Sequence, residues 1–392
     1  MNLYEKSIEV ILANQHQSGA YIACPNFPNY RYCWLRDGSF IAYAMDLSGN
    51  HSSAGKFYRW VGRVIDRYSG KVAILAAQLQ NGQKPDPTGI LNTRFTLEGY
   101  EEADQGWGNF QVDGYGSWLW GLAEHINITK DHTLLAELAE AITTTIEYLK
   151  LVWGLPNYDC WEEHPEYLHP YSLSTTVGGL AAINSLRLQG LLNIPELEIE
   201  QLIGTIKQTM VEKAVVDGRF IKHIQVGQPT QKLPPQILNG PDASLLGIAV
   251  PYGVFPIQDE TMSATVEAIE KELWLAGGGV YRYQGDVYYG GGEWILLSAW
   301  LGWYYCRAGE PAKAQQLRGW IESTANENGE LPEQVCENPL APKEKPVWMD
   351  KWGPVASPLL WSHAMYIILV NEIEKATNHA GTTLPGIGGP ER

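Results

Sequence analysis

Helical segments of two kinds alternate along almost the whole chain, and this alternation limits the available folds more than any other feature of the sequence. Segments with a single charged face span 2–15, 52–79, 130–153, 194–216, 259–275 and 310–326. Each is followed by a segment apolar on nearly every side and rich in glycine and alanine: 40–47, 113–122, 171–188, 242–245, 293–306 and 357–370. A helix with no polar face must be buried, and one with a charged face lies at the surface. Six such pairs are satisfied by two concentric rings of helices, so the expected fold is all-α, an (α/α)6 barrel of six inner and six outer helices. Asp37 stands where the N-cap of the first inner helix belongs. No linker divides the chain, which predicts one domain over 1–379 and a flexible, glycine- and proline-rich tail at 380–392.

In such a barrel the turns that lead into the inner helices gather at one end. Here they are long, aromatic and acidic, at 30–37, 107–113, 159–163, 238–242, 282–294 and 331–334. Long loops in a compact domain usually carry function. The formal net charge of −16 argues against a nucleic-acid partner, which needs clustered Lys and Arg. Trp (15) and Tyr (21) far outnumber Phe (7), a bias toward rings with a polar handle that suits a sugar-binding cleft as well as ordinary packing. The five cysteines, Cys24, Cys33, Cys160, Cys306 and Cys336, are scattered, with no CxxC and no His at ligand spacing. Neither a metal site nor a disulfide framework is expected, nor any cofactor, and a reducing, cytoplasmic location fits best. No apolar run reaches the roughly 18 residues of a membrane span, and the first residues lack the pattern of a signal peptide.

Glu162 and Glu163 follow Trp161 in a stretch with few other charges. Adjacent carboxylates of this kind are either solvated acids or a pair kept in different protonation states, as acid-catalysed cleavage of a glycosidic bond requires. Glu162 is the candidate general acid. Glu333, in the turn Leu331-Pro332-Glu333-Gln334 before the last inner helix, is the candidate base. An inverting pair of this type stands roughly 6.5–9.5 Å apart so that a water fits between. Arg36 and Asp37 can together hold neighbouring hydroxyls, or form a local salt bridge. Trp34, Trp107, Trp161 and Trp294 can line a cleft or fill the barrel.

Five stretches in this order, Tyr30 to Asp37, Asp159-Cys160-Trp161-Glu162-Glu163, Arg282-Tyr283 with Asp286-Val287-Tyr288-Tyr289, Leu331-Pro332-Glu333-Gln334 and Trp361-Ser362-His363-Ala364, resemble the motifs of glycoside hydrolase family 15, the glucoamylases and their relatives. The resemblance implies an (α/α)6 catalytic domain and inverting release of β-glucose from the non-reducing ends of α-glucosides. By position, Glu162 resembles the family's acid and Glu333 its base, and Tyr30 the tyrosine that helps hold the attacking water. Arg36, Asp37, Trp107, Glu163 and Arg282 match residues that bind the terminal and next sugar, and Trp34, Trp161, Tyr288 and Trp294 join the expected substrate-binding set. The β-sandwich that usually precedes the barrel in prokaryotic members, and any starch-binding module, are expected to be absent, which points to short soluble oligosaccharides. His164-Pro165 and the turn from Gly290 to Trp294 are expected near the second sugar, which leaves both α-1,6 substrates such as isomaltose and α-1,4 substrates such as maltose open. A trehalase, or a non-catalytic sugar-binding regulator on the same barrel, is the alternative.

Overall fold

A computed structural model describes residues 2–102, 106–230 and 232–380 of the chain. The helices are α1 (Leu3–Ala13), α2 (Leu35–Leu47), α3 (His51–Tyr68), α4 (Gly70–Gln80), α5 (Asp113–Thr129), α6 (His132–Glu137), α7 (Ala139–Val152), α8 (Pro170–Leu188), α9 (Ile199–Lys213), α10 (Pro235–Leu238), α11 (Glu260–Leu273), α12 (Ile295–Ala308), α13 (Pro311–Ser323), α14 (Glu344–Trp352) and α15 (Leu360–Ala380). A 3-10 segment, Ala243–Ile248, stands in the fourth inner position. Its neighbours close a ring in the order α2, α5, α8, the 3-10 segment, α12, α15 and back to α2. Outside this ring α1 packs on α15, α3 on α2, α9 on α8 and α13 on α12, as the charged faces require.

The ring closes tightly because small residues let backbones touch. A Cβ on Gly116 would lie 2.2 Å from the Thr175 carbonyl oxygen, and one on Gly179 would lie 2.3 Å from that of Gly116, so α5 and α8 meet main chain to main chain. Aromatic rings fill the axis. Phe40 contacts Trp120, Trp300 and Trp361 at centroid distances of 5.6, 5.3 and 5.5 Å.

Local chemistry moved several boundaries. The outer segment expected over 52–79 is two helices that break at Ser69-Gly70, where the Ser69 hydroxyl donates to the Asp66 carbonyl and glycine has little helix preference. The one expected over 130–153 likewise breaks, at Leu138. The fourth inner helix is a 3-10 segment that stops after about two turns, at Ile248, ahead of Pro251, which lacks the N–H needed to continue it. Asp37 is not an N-cap: α2 starts at Leu35 with Trp34 in the capping position, and Asp37 falls in the first turn. Of the tail expected at 380–392, Ala380 still belongs to α15 and the remainder lies outside the described residues.

Short antiparallel strands tie down the loops above the inner helices. β1 (Cys33–Trp34) pairs with β2 (Arg94–Phe95), β3 (Tyr167–Leu168) with β6 (Ile224–Gln225), and β4 (Val215–Val216) with β5 (Arg219–Phe220). β7 (Val280–Tyr281), β8 (Glu293–Trp294) and β9 (Gln334–Val335) form a three-stranded sheet. Trp34, Trp294 and the loop of Glu333 are thereby fixed at one end of the barrel.

Candidate active site

A cavity of about 370 Å³ opens at that end. All twelve residues singled out from the sequence line it: Tyr30, Trp34, Arg36, Asp37, Trp107, Trp161, Glu162, Glu163, Arg282, Tyr288, Trp294 and Glu333. They come from loops more than 300 residues apart in sequence, as the Tyr30–Glu333 hydrogen bond shows.

Glu162 sits in a turn closed by Asp159 N–H to the Glu163 carbonyl and Glu162 N–H to the Asp159 carbonyl, both at 2.9 Å. Asp159 Oδ1 accepts from the amides of Trp161 (3.0 Å) and Glu163 (2.8 Å). The turn places Glu162 (φ 67°) and His164 (φ 54°) in the left-handed region. That costs about 1–2 kcal/mol each for residues with a Cβ, a strain typical of functional loops. Glu162 Oε1 accepts from Trp34 Nε1 at 2.6 Å and from Gln111 Nε2 at 3.0 Å, and its Oε2 has no partner among the described residues.

Glu333 is only 3% exposed. The Tyr30 hydroxyl donates to its Oε1 at 3.1 Å, and the hydroxyls of Tyr30 and Tyr288 lie 2.8 Å apart. Burial keeps Tyr30 protonated, so Tyr288 is the donor in that second bond. Glu333 Oε2 has no hydrogen-bond partner among the described residues. Burial pushes this carboxyl up to about 8, against the Tyr30 hydrogen bond and the Arg282 charge. Its loop is held from behind: the Leu331 amide donates to His363 Nε2 at 3.0 Å and the Ser362 hydroxyl to the Pro332 carbonyl at 2.8 Å, which accounts for the Trp361-Ser362-His363 stretch.

Arg36 binds Gln111 Oε1 at 3.0 Å and Asp113 at 3.1 Å through one guanidinium nitrogen. Its Nε faces Asp37 Oδ2 at 3.4 Å, a contact that leaves both atoms without a hydrogen bond. Burial raises the Asp37 carboxyl to about 6 despite Arg36 beside it. Arg282 is clamped by both oxygens of Asp286, with Nε at 2.7 Å from one of them, and lies 3.5 Å from Glu163. Trp161, Tyr288 and Trp294 surround its guanidinium at 5.3, 5.4 and 5.0 Å. Trp107 Nε1, Trp294 Nε1 and Trp361 Nε1 are also buried without hydrogen-bond partners among the described residues. Buried polar atoms are normally paired, and a cluster of unpaired ones around one cavity marks a place built for a polar ligand.

Other residues at the site carried no separable signal in the sequence. Gln111 touches Arg36, Thr93 and Glu162, yet a glutamine in a loop looks like any other. Tyr158, Trp348 and Trp352 also line the cavity, as does Trp361 of the fifth motif. Trp348 and Trp352, four apart, lie on one face of α14, a short helix that the periodicity did not reveal. Of the two features expected near a second sugar, Trp294 of the turn lines the cavity, whereas His164 and Glu293 do not. His164 packs on His223, with ring centroids 4.7 Å apart, because the left-handed turn carries it behind the loop. Glu293 is 1% exposed and accepts from the Gly279 amide at 2.9 Å within the sheet.

Folding also assembles Asp159, His169 and His223 from three separate segments, with a potential ligand atom of each within 4.8 Å of the others. His169 Nε2 donates to the Asn157 carbonyl at 2.7 Å, so its Nδ1 accepts from His223 Nδ1 at 2.9 Å. Burial lowers His169 to about 3 and His223 well below the ordinary range, and the Lys222 ammonium, 3.7 Å from Asp159, already places a positive charge beside that carboxylate. The five cysteines are unpaired, and no described helix is long and apolar enough to cross a membrane.

Comparison with known proteins extends the likeness beyond the site. A model of glycosyl hydrolases family 15 matches residues 1–322. The isomaltose glucohydrolase of Kribbella flavida is 40% identical over 374 residues, which cover 95% of this chain and 92% of that protein. Among solved structures, a glycosidase in complex with glucose superposes with a TM-score of 0.84 at 38% identity, over 95% of this chain and 96% of the other. A bacterial glucoamylase complexed with acarbose shares the fold, with a TM-score of 0.71 at 21% identity over 95% of this chain and 55% of that one. A family match over most of the chain, joined to so close a relative across nearly its full length, places the protein among the glycoside hydrolases, in glycosyl hydrolases family 15.

Proposed function

We propose that the enzyme is an exo-acting, inverting α-glucoside hydrolase that releases β-glucose from the non-reducing end of short α-gluco-oligosaccharides, with isomaltose its foremost substrate. The convergence of buried atoms with no hydrogen bond among the described residues, Arg36 Nε, Asp37 Oδ2, Trp294 Nε1, Trp361 Nε1 and Glu333 Oε2, on one ring-lined cavity carries this reading. They offer both donors and acceptors to a polyol, and tryptophan faces suit sugar C–H surfaces. The volume, at the low end of ligand pockets, favours a short substrate, and the 40% identical relative is an isomaltose glucohydrolase.

Exposure divides the roles. In a blind cavity the terminal sugar sits at the floor and the remainder of the substrate leads toward the mouth, so the leaving oxygen is on the mouth side and the attacking water on the floor side. Glu162 is half-buried and Glu333 nearly sealed. Glu162, with Oε1 fixed and Oε2 free, protonates the leaving oxygen. Glu333 Oε2 takes a proton from the water, next to the Tyr30 and Tyr288 hydroxyls. Glu163, Arg282 and Trp161 then face the second sugar. The unpaired cysteines fit work in a reducing compartment.

Proton NMR of the first products from isomaltose, maltose, nigerose, trehalose and maltoheptaose, read before mutarotation, tests the proposal. Initial β-glucose, fastest from isomaltose, is the expected result. Initial α-glucose would overturn the inverting mechanism, and trehalose as the preferred substrate would replace the assignment with a trehalase.

A further inference from the structure

Lys222 lies between β5 and β6 in the stretch Phe220-Ile221-Lys222-His223-Ile224 and is 5% exposed. A lysine so deeply buried is rare unless its charge is matched. Its Nζ stands 2.8 Å from Asp242 Oδ2, 3.7 Å from Asp159 Oδ2 and 3.1 Å from the centre of the Tyr283 ring. Each of these three neighbours holds a different part of the loop that carries Glu162. Asp159 receives the amides of Trp161 and Glu163. Asp242 receives the indole N–H of Trp161 at 2.9 Å. Tyr283 donates its hydroxyl to Glu163 Oε2 at 2.5 Å.

We infer that Lys222 is a positioning residue for the general acid: its ammonium holds Asp159, Asp242 and Tyr283 in the arrangement that keeps the strained turn, and with it the Glu162 carboxyl, at the bond to be cleaved. Lys222 does not line the cavity. This role rests on the assignment of Glu162 as acid. The charge balance supports it. Burial works to raise Asp242, yet the Lys222 charge and hydrogen bonds hold it below the usual carboxylate range. Burial raises Asp159, and Lys222 is the largest opposing influence. Burial works to lower Lys222, but Asp242 and Asp159 outweigh it and keep it protonated. Glu163 and His164 from the loop, His169 and His223 beside it, and Arg282 and Tyr283 opposite complete its titratable surroundings. Without the ammonium, two buried carboxylates share a site with no counter-charge and one takes a proton. A neutral carboxyl accepts the Trp161 and Glu163 N–H groups less strongly, and the two left-handed residues then relax.

The test compares isomaltose, whose leaving group needs a proton, with dinitrophenyl α-glucoside, whose leaving group does not. Lys222→Met should lower kcat on isomaltose by about 100-fold, the cost of displacing a catalytic group by about 1 Å, with little change in KM. Its effect on the dinitrophenyl glucoside should be about tenfold smaller, and Lys222→Arg should restore part of the isomaltose rate. If Lys222→Met does not fold, as judged by circular dichroism, Lys222→Arg decides by the same ratio: a loss greater on isomaltose supports the role and an equal effect on both overturns it. Glu162→Gln runs alongside. Equal loss on both substrates in that variant would remove the acid assignment and this inference together. With Glu162→Gln behaving as an acid variant should, a Lys222→Met loss equal on both substrates, or confined to Tm, overturns the inference alone.

Discussion

Glu162 and Glu333 differ in how far they are withdrawn from water, and that difference governs what each can do with a proton. Glu162→Gln should lower turnover of isomaltose by about 10²–10⁴-fold and spare more of the rate with dinitrophenyl α-glucoside. Glu333→Gln should lower both substrates together, because every leaving group needs the attacking water. Steady-state kinetics on the two substrates checks this, and a leaving-group dependence in the Glu333 variant would exchange the roles. The pH profile is a separate check. The structure raises Glu333, the candidate base, to about 8, because it is sealed in the barrel with a single hydroxyl donor. A base must be ionised, so in the free enzyme kcat/KM should fall as pH drops below about 8. A fall above that pH instead would mark Glu333 as the acid. Residues of recognisable chemistry in the loops, such as Arg36-Asp37 and Glu162-Glu163, were legible in the sequence as site candidates. Gln111, Asp242 and Lys222 were not, since their importance lies in neighbours as far as 51–81 positions away.

The inner and outer helices place opposite demands on the same residue type, which two glycines can show. Gly179 in α8 faces the Gly116 carbonyl oxygen so closely that an added Cβ would stand 2.3 Å away, against backbone that cannot step aside. Gly179→Ala should therefore destabilise the protein by about 1–3 kcal/mol or more, as overpacking does. Gly204 in the outer helix α9 has nothing within 4 Å of an added Cβ. Gly204→Ala should stabilise by about 0.5–1 kcal/mol through helix preference alone. Urea unfolding of both variants checks the pair, and equal effects would mean that the ring does not close by backbone contact. The elements most faithful to the periodicity were the long apolar helices α5, α8 and α12, which are buried whatever their neighbours. The breaks at Ser69-Gly70 and Leu138, and the short helix α14, escaped because a half-exposed segment of mixed polarity has no clear period.

For the whole molecule, buried histidines should set the response to acid. His169 donates Nε2–H to a carbonyl and His363 accepts an amide hydrogen at Nε2, and burial holds both neutral, at about 3. The unfolded chain takes up these protons near pH 6.5, so below that value each histidine removes stability at about 1.4 kcal/mol per pH unit until about pH 3. Glu333, at about 8, and Asp37, at about 6, act in the opposite sense: their stabilising contribution is lost as pH rises through those values and is complete only below the unfolded carboxylate range near 4. Partial cancellation is expected between pH 6 and 4, with a steeper fall below, in urea unfolding across pH 7 to 3. His363→Asn should flatten that fall, and an unchanged slope would exclude His363 as a cause. From the order of apolar and charged-faced helices alone the two rings follow, because burial is decided by the helix's own surface, and the motifs name the acids and rings near one mouth. Tertiary structure alone decided that His164 and Glu293 stay out of the cavity lining, that burial raises Glu333, and that Asp159, Asp242 and Lys222 meet behind the acid loop. These follow from distances between segments far apart in the chain, and exposure, electrostatic coupling and hydrogen bonding depend on such distances, which no local pattern of residues encodes.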